Sequence, residues 1–247
     1  MKKMFEILVS DNNLHESDQL IGLLGRETRL CGGVFAASSN NGRIEIAMAV
    51  AERFRDYFVK QVKEEISDYI AVEYKYEYFM KRLSFESISD KEKVAFCSSL
   101  AVFDKQTDKK YISEQLLFGN EIVVDSAVAF CMPKLLDRWT EIAELVEASK
   151  YELSGEDGIL EMMRFLIKSS PSESEKIHLK TNGKNLFVVN DCGSVQFSYC
   201  DCADSDIKLL HRIISLLPRQ ISVHGDRFNY LFSLFPNAKR EEVETIM

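Results

Sequence analysis

The sequence lacks every short signature that usually names a chemistry. It has no G-x-x-x-x-G-K-[ST], no G-x-G-x-x-G, no H-E-x-x-H, no G-x-S-x-G and no C-x-x-C. That removes the specific sequence signals for phosphate-cradling loops, dinucleotide folds, zinc proteases and serine hydrolases. No apolar run approaches the roughly 18 residues a spanning helix needs. Basic excess is also absent: 31 Lys and Arg against 39 Asp and Glu leave a net charge of -8. This argues against a protein that coats nucleic acid or adheres to anionic membranes. The apolar run after Lys2 and Lys3 is broken at Glu6 and ends at Ser10-Asp11, so a signal peptide is not expected. Six scattered cysteines in such a chain are expected to be reduced thiols of a cytoplasmic protein.

Glycine and proline are missing altogether from Arg43 to Leu83. Apolar residues recur there at Ala47, Ala51, Phe54, Phe58, Val62, Ile66, Tyr69, Val72, Tyr76, Met80 and Leu83. The period is that of one helix face. The stretch predicts one long amphipathic helix, or two nearly collinear ones, about 60 Å long if straight. A compact chain of this size has a radius of gyration near 18 Å, so a bend or break is expected.

On either side the pattern is mixed. Met4–Val9 reads as a strand, His15–Leu24 as a helix and Leu30–Ala37 as a second strand. This N-terminal α/β unit (residues 1–40) is too small to stand alone. Residues 41–170 read as a helical region. Ser89, three residues before Glu92, has the spacing of a capping box. Asp104–Lys110 reads as a loop, and Tyr111–Leu117, Ile122–Phe130, Lys134–Ala148 and Gly155–Ile167 as helices. Ser169-Ser170-Pro171-Ser172 marks a boundary.

Beyond it, residues 171–247 form a C-terminal α/β region. Asn182-Gly183 between alternating runs is a hairpin signal, and Val195, Phe197 and Tyr199 alternate as a third strand. A helix from Asp204 to Leu217 stops at Pro218. Gln220–His224 follows as a strand and Phe228–Phe235 as a helix. The fold expected is α+β, with a helical middle and one small mixed sheet shared by the N-terminal unit and the C-terminal strands. A fragment Ser172–Met247 is then expected not to fold alone.

Four clusters could carry chemistry. Cys192, Cys200, Cys202 and His224 are candidate zinc ligands, with His178 and His211 in the same region. Their C-x7-C-x-C spacing fits no standard finger, and the competing reading is core or strand-end residues. Asp191, Asp201, Asp204 and Asp206 could bind a divalent cation through hard oxygens, or could simply form a turn and complement a helix N-terminus. Tyr69, Tyr74, Tyr76, Tyr78 and Phe79, beside Lys75, Lys81 and Arg82, could stack on single-stranded nucleic acid. Glu73 and Glu77 interrupt that patch, and core packing with a wet rim is the alternative. Gly32-Gly33 could admit a phosphate, although no helix clearly begins there. No catalytic residue and no cofactor is assigned.

Two stretches carry a resemblance. Arg53-Phe54-Arg55-Asp56-Tyr57 leads through to Tyr76-Glu77-Tyr78-Phe79-Met80-Lys81-Arg82-Leu83, and Asp204-Ser205-Asp206 leads through Leu216-Leu217-Pro218 to Ile221-Ser222-Val223-His224-Gly225. In this order they resemble the YtxC-like family of sporulation proteins from spore-forming Firmicutes. That family has a long helix ending in a Glu-Tyr-x-x-Phe-like segment, and a later helix leading through a proline to an I-x-I-H strand. Leu-Leu-Pro here stands where the family has a small residue before the proline. The resemblance implies a role in sporulation and assigns no functional residue. Together these readings point to a cytoplasmic protein acting without catalysis through another protein, with no nucleic acid and no membrane span. The alternative is a metal-dependent enzyme using the C-terminal Cys/His/Asp cluster.

Overall fold

The structure is a computed structural model that describes residues 3–12, 17–40, 42–85, 88–117, 119–149, 156–182, 185–190, 195–200, 205–224 and 229–241. It is α+β with a helical middle, as the sequence predicts, but the strands form two separate sheets and not one. The chain divides into two compact units, each built from two segments. The first is Met1–Lys75 with Lys105–Glu144; the second is Tyr76–Asp104 with Leu145–Met247.

In the first unit, β1 (Met4–Asp11), α1 (Ser17–Leu30), β2 (Val34–Asn40) and β3 (Arg43–Ala51) come in succession. The start of the expected long helix is therefore a strand. Ile44, Ile46, Met48 and Val50 are buried and alternate with Arg43, Glu45, Ala47 and Ala49. That is a period of two, which overrides the helical spacing of Ala47 and Ala51. β1 shows the same alternation at Phe5, Ile7 and Val9 and pairs antiparallel with β3, Met4 opposite Ala51 and Asp11 opposite Ile44. With β4 (Glu121–Val123), parallel to β1, the sheet order is β2-β3-β1-β4. Ile122 and Val123 were expected to open a helix; the pairing of residues 121–123 with Leu8, Val9 and Ser10 makes them a short edge strand. A Cβ on Gly33 would sit 2.4 Å from the Ala49 carbonyl oxygen. That close approach, together with the φ of +63° at Gly32, accounts for both glycines as the turn from α1 into β2.

A short 3-10 turn, Glu52–Phe54, opens the helix proper, which runs as α2 (Arg55–Tyr69), a π-helical turn (Ile70–Tyr74) and α3 (Lys75–Arg82). These 28 residues span roughly 42 Å. α2 buries Phe58, Val62, Ile66 and Tyr69, spaced four, four and three. Ile70, Ala71, Val72 and Glu73 in the wide turn are then all buried. After it the stripe keeps Tyr76 and Leu83, but Phe79 takes the place expected of Met80, which moves to the rim. The extra residue in the wide turn shifts the phase of the helix and points Lys75 inward.

The remaining helices are α4 (Asp90–Val102), α5 (Lys105–Gln115), the single turn α6 (Val124–Ser126) followed by a π turn (Ala127–Cys131), α7 (Pro133–Ala148) and α8 (Glu156–Ser169). α4 begins with the expected capping box: the Ser89 hydroxyl accepts from the Glu92 amide, and the Ser89 amide donates to Glu92 Oε2 at 2.7 Å. From Val94 to Val102 every residue of α4 is buried, so this helix is apolar all round and central to its unit. α5 occupies much of the expected loop 104–110. Its inner residues there are Lys105 and Asp108, charged side chains that read as a wet loop until their partners are known.

In the second unit, β5 (Ser174–Asn182), β6 (Asn185–Asn190) and β7 (Val195–Cys200) form an antiparallel meander, with Asn182 opposite Asn185 where the hairpin was expected. α9 (Ser205–Ser215) packs on α4, and β8 (Pro218–His224) returns parallel to β5. After α10 (Asn229–Leu234), β9 (Ala238–Glu241) adds parallel to β8, completing the order β7-β6-β5-β8-β9. The linear division at 40 and 170 gives way to discontinuous units because α4 and α8, from the middle of the chain, pack within the second unit. Each sheet covers its apolar face with helices of its own unit, so neither needs the strands of the other.

Candidate functional site

The strongest polar constellation is one that sequence spacing does not reveal. Asp108 on α5 is fully buried in the first unit, and so is Lys75. Lys75 Nζ lies 2.8 Å from Asp108 Oδ2, with both side chains wholly excluded from solvent. Trp139 Nε1, the one indole of the chain, donates to the same Oδ2 at 3.1 Å. Arg138, the residue before it on α7, pairs with Oδ1. One carboxylate thus joins three helices. Beside it, Asp68 on α2 receives Lys105 Nζ at 3.1 Å and Lys109 Nζ at 3.3 Å.

A second buried pair ties the sheet to the helix: the Tyr69 hydroxyl donates to Asp11 Oδ2 at 2.6 Å. The neighbouring Tyr74 phenol is pushed up to about 12, first by burial and then by the carboxylates Asp125 and Asp11. In low dielectric, ionic groups of this kind hold only when paired and hydrogen-bonded. Asp108 meets that condition with two cations and an indole N–H. The Lys75 and Asp108 side chains are sealed from water, so the cluster locks helices together and offers no surface to a substrate.

The aromatic patch proposed for stacking on nucleic acid resolves the same way. Tyr69, Tyr76 and Phe79 are buried, and Tyr74 and Tyr78 half-buried. In the second unit Tyr76 stacks on His211 of α9 with ring centroids 3.9 Å apart. His211 Nδ1 lies 2.8 Å from Ser98 Oγ on α4. Ser98 donates its own proton to the Val94 carbonyl at 2.6 Å. The imidazole Nδ1–H is therefore the donor to Ser98. His211 is a buried, hydrogen-bonded core residue.

Only part of the proposed metal-ligand set lies within the described residues. Cys192 and Cys202 lie outside the described residues. Cys200 ends β7 and His224 ends β8, on strands separated in the order by β6 and β5. Asp191, Asp201 and Asp204 also lie outside the described residues. His178 sits half-buried in β5. Among the described residues no group of three or more His, Cys, Asp or Glu is placed to hold a metal ion. Cys97 is buried in α4, and burial pushes its thiol up to about 12, which leaves it the inert thiol of a core residue. The Gly32 and Gly33 amides donate to the Arg29 and Thr28 carbonyls at 2.9 Å each, so neither N–H is turned to a phosphate.

What the first unit does expose is a sheet edge. β2 is the outermost strand next to β3, and residues 34 and 36–40 are solvent-exposed, Val34 at 67 %. Its sequence, Val-Phe-Ala-Ala-Ser-Ser-Asn, carries no charge and no proline over seven residues. Native edges are normally blunted by lysine, proline, a bulge or a covering element. β2 pairs with β3 in unbroken register and, among the described residues, has none of these. Its outward N–H and C=O groups have no sheet partner among the described residues.

No family model matches the chain, and no curated protein or solved structure is significantly similar to it. Among the described residues no helix is long and apolar enough to cross a membrane.

Proposed function

We propose that this chain is a cytoplasmic protein that acts in sporulation without catalysing a reaction, by adding a strand of a protein partner to the edge of β2. The observation that carries the reading is the uncharged, regular, exposed edge Val34–Asn40. An extended peptide placed there gains main-chain hydrogen bonds along the strand, and the small side chains at residues 36–39 let its backbone approach closely. The chain's net charge of -8 suits a protein partner better than nucleic acid. The sporulation role rests on the YtxC-like resemblance of the long helix and of the α9–β8 segment. The non-enzymatic role is supported by the buried ionic cluster, which serves packing.

The test is affinity purification from sporulating cells with two baits, the natural chain and an Ala37→Lys variant. Ala37 is exposed, so the lysine leaves the fold intact while placing a charge on the edge. A partner retained by the first bait and lost by the second, with a deletion strain that forms fewer spores but grows normally, is the expected result. Equal recovery on both baits removes the edge from the reading. Normal sporulation in the deletion strain removes the sporulation role.

A further inference from the structure

The second unit contains a cavity of about 430 Å³ that none of the preceding features uses. It is bounded by the end of α8, the turn from α9 into β8 and the segment after α10. Volumes of this order hold small organic ligands. Its wall is apolar: Leu217, Pro218, Leu234 and Phe235 line it, and all four are buried. Leu217 closes α9 with a φ of +42°, a left-handed conformation usually left to glycine. A leucine held there keeps an apolar side chain on the wall where glycine would leave none. Its carbonyl is held by the Ser172 hydroxyl at 2.8 Å.

The charges at the mouth are of one sign. Arg164, Lys168 and Arg219 all line the cavity, with no acidic residue among the lining. Arg164 Nε is anchored on the Ser233 carbonyl at 2.6 Å, and Arg219 pairs with Glu175 at 3.1 Å on the exposed side. Lys168 makes no ion pair among the described residues. Against these three cations stand Glu175 and the C-terminal ends of α8 and α9, each worth about half a negative charge. Roughly one positive charge is left over, on a chain whose net charge is -8.

We infer that this cavity binds a small monoanion with an apolar body, a carboxylate or sulfonate on an aromatic or aliphatic frame. The apolar part sits against Leu217, Leu234 and Phe235, and the anionic group meets Lys168 and Arg219 at the mouth.

The probe is 8-anilino-1-naphthalenesulfonate, titrated into the full chain and followed by its fluorescence. N-phenyl-1-naphthylamine, the same frame without the sulfonate, is the comparison. One saturable site is expected, with at least tenfold weaker binding of the neutral analogue. The charge-reversed Lys168→Glu/Arg219→Glu variant is expected to bind the sulfonate at least tenfold more weakly. Lys208→Glu, exposed on α9 and outside the cavity, is expected to bind as the natural chain does. The single variant Lys168→Gln leaves the Arg219–Glu175 pair intact and serves if the double variant melts early; it is expected to weaken the sulfonate several-fold. Equal affinity for the two probes, undiminished binding after loss of the cations, or no saturable site would each overturn the assignment.

Discussion

Replacing Asp108 with leucine removes the carboxylate that meets the Lys75 ammonium at 2.8 Å, in a site with no solvent for either side chain. It also takes away the acceptor of Trp139 Nε1. Arg138 is partly exposed and can turn its guanidinium to water; Lys75 has no such route. Breaking a buried pair from one side costs about 3–5 kcal/mol. For a chain of this size that corresponds to a melting temperature lower by roughly 10 °C. Lys75→Met should cost less, because Asp108 keeps Arg138 and the indole. The double variant Lys75→Met/Asp108→Leu should recover part of the loss, since it removes the buried ammonium together with its carboxylate.

The single Asp108→Leu variant should also carry a pH signature. With the Asp108 carboxylate gone, burial favours the neutral amine in the folded state more than it does in the natural chain, while the unfolded chain keeps the proton up to about pH 10.4. The unfolded state then binds more protons, so the stability of this variant relative to the natural chain should rise from pH 7 toward pH 10. Thermal melts of the natural chain and the three variants at pH 7, 8 and 9 measure both effects. A change of less than 2 °C or so for Asp108→Leu, or strict additivity in the double variant, would show that the cluster does not hold the helices together.

The helix stripe makes a second expectation. Phe58 is fully buried and Tyr57 is 53 % exposed, so Phe58→Asp should cost several kcal/mol and Tyr57→Asp well under one, read as the difference in melting temperature. Equal losses would mean the wrong face has been assigned to the core. The tyrosines make a third. Tyr74 and Tyr230 are both pushed up to about 12, burial being the larger cause in each. Unfolded phenols lose their protons near pH 10 while these two keep theirs, so this contribution to stability is complete below about pH 10 and disappears as pH rises toward 12. An absorbance titration at high pH should show at least two of the nine tyrosines ionising late, together with declining stability; early ionisation of all nine would contradict the burial.

The fragment Ser172–Met247 is still expected not to fold alone, though for a different reason than a shared sheet. It keeps its own five strands but loses α4, the helix on which α9 packs. A well-dispersed amide spectrum from the fragment would show that α9 needs no such support.

Local chemistry made much of this fold legible. Ser89 and Glu92 announce the start of α4 because a capping box is satisfied within four residues. Asn182-Gly183 signals a hairpin where Asn182 pairs with Asn185 between β5 and β6, and Pro218 follows the preceding helix, for equally local reasons. The amphipathic period of α2 is plain from Phe58 to Tyr69, since one face of a helix can be read without knowing what covers it. The sequence by itself therefore determined the class, the helical middle and most element centres. It misled at residues 43–51, where alanines at helical spacing concealed the alternation of Ile44, Ile46, Met48 and Val50.

Other features were decided only by tertiary structure. The phase shift of the long helix depends on a π turn that no propensity signals, and it turned Lys75 from a wet position into the core. Lys105 and Asp108 read as a polar loop because charged residues belong inside only when partners meet them, and those partners lie on α2, α3 and α7. Separation into two sheets, with α4 and α8 serving the second, is likewise a matter of which apolar faces find each other in space. Spacing along a chain reports the face of an element; burial of charge and the pairing of distant elements depend on contacts that spacing does not contain.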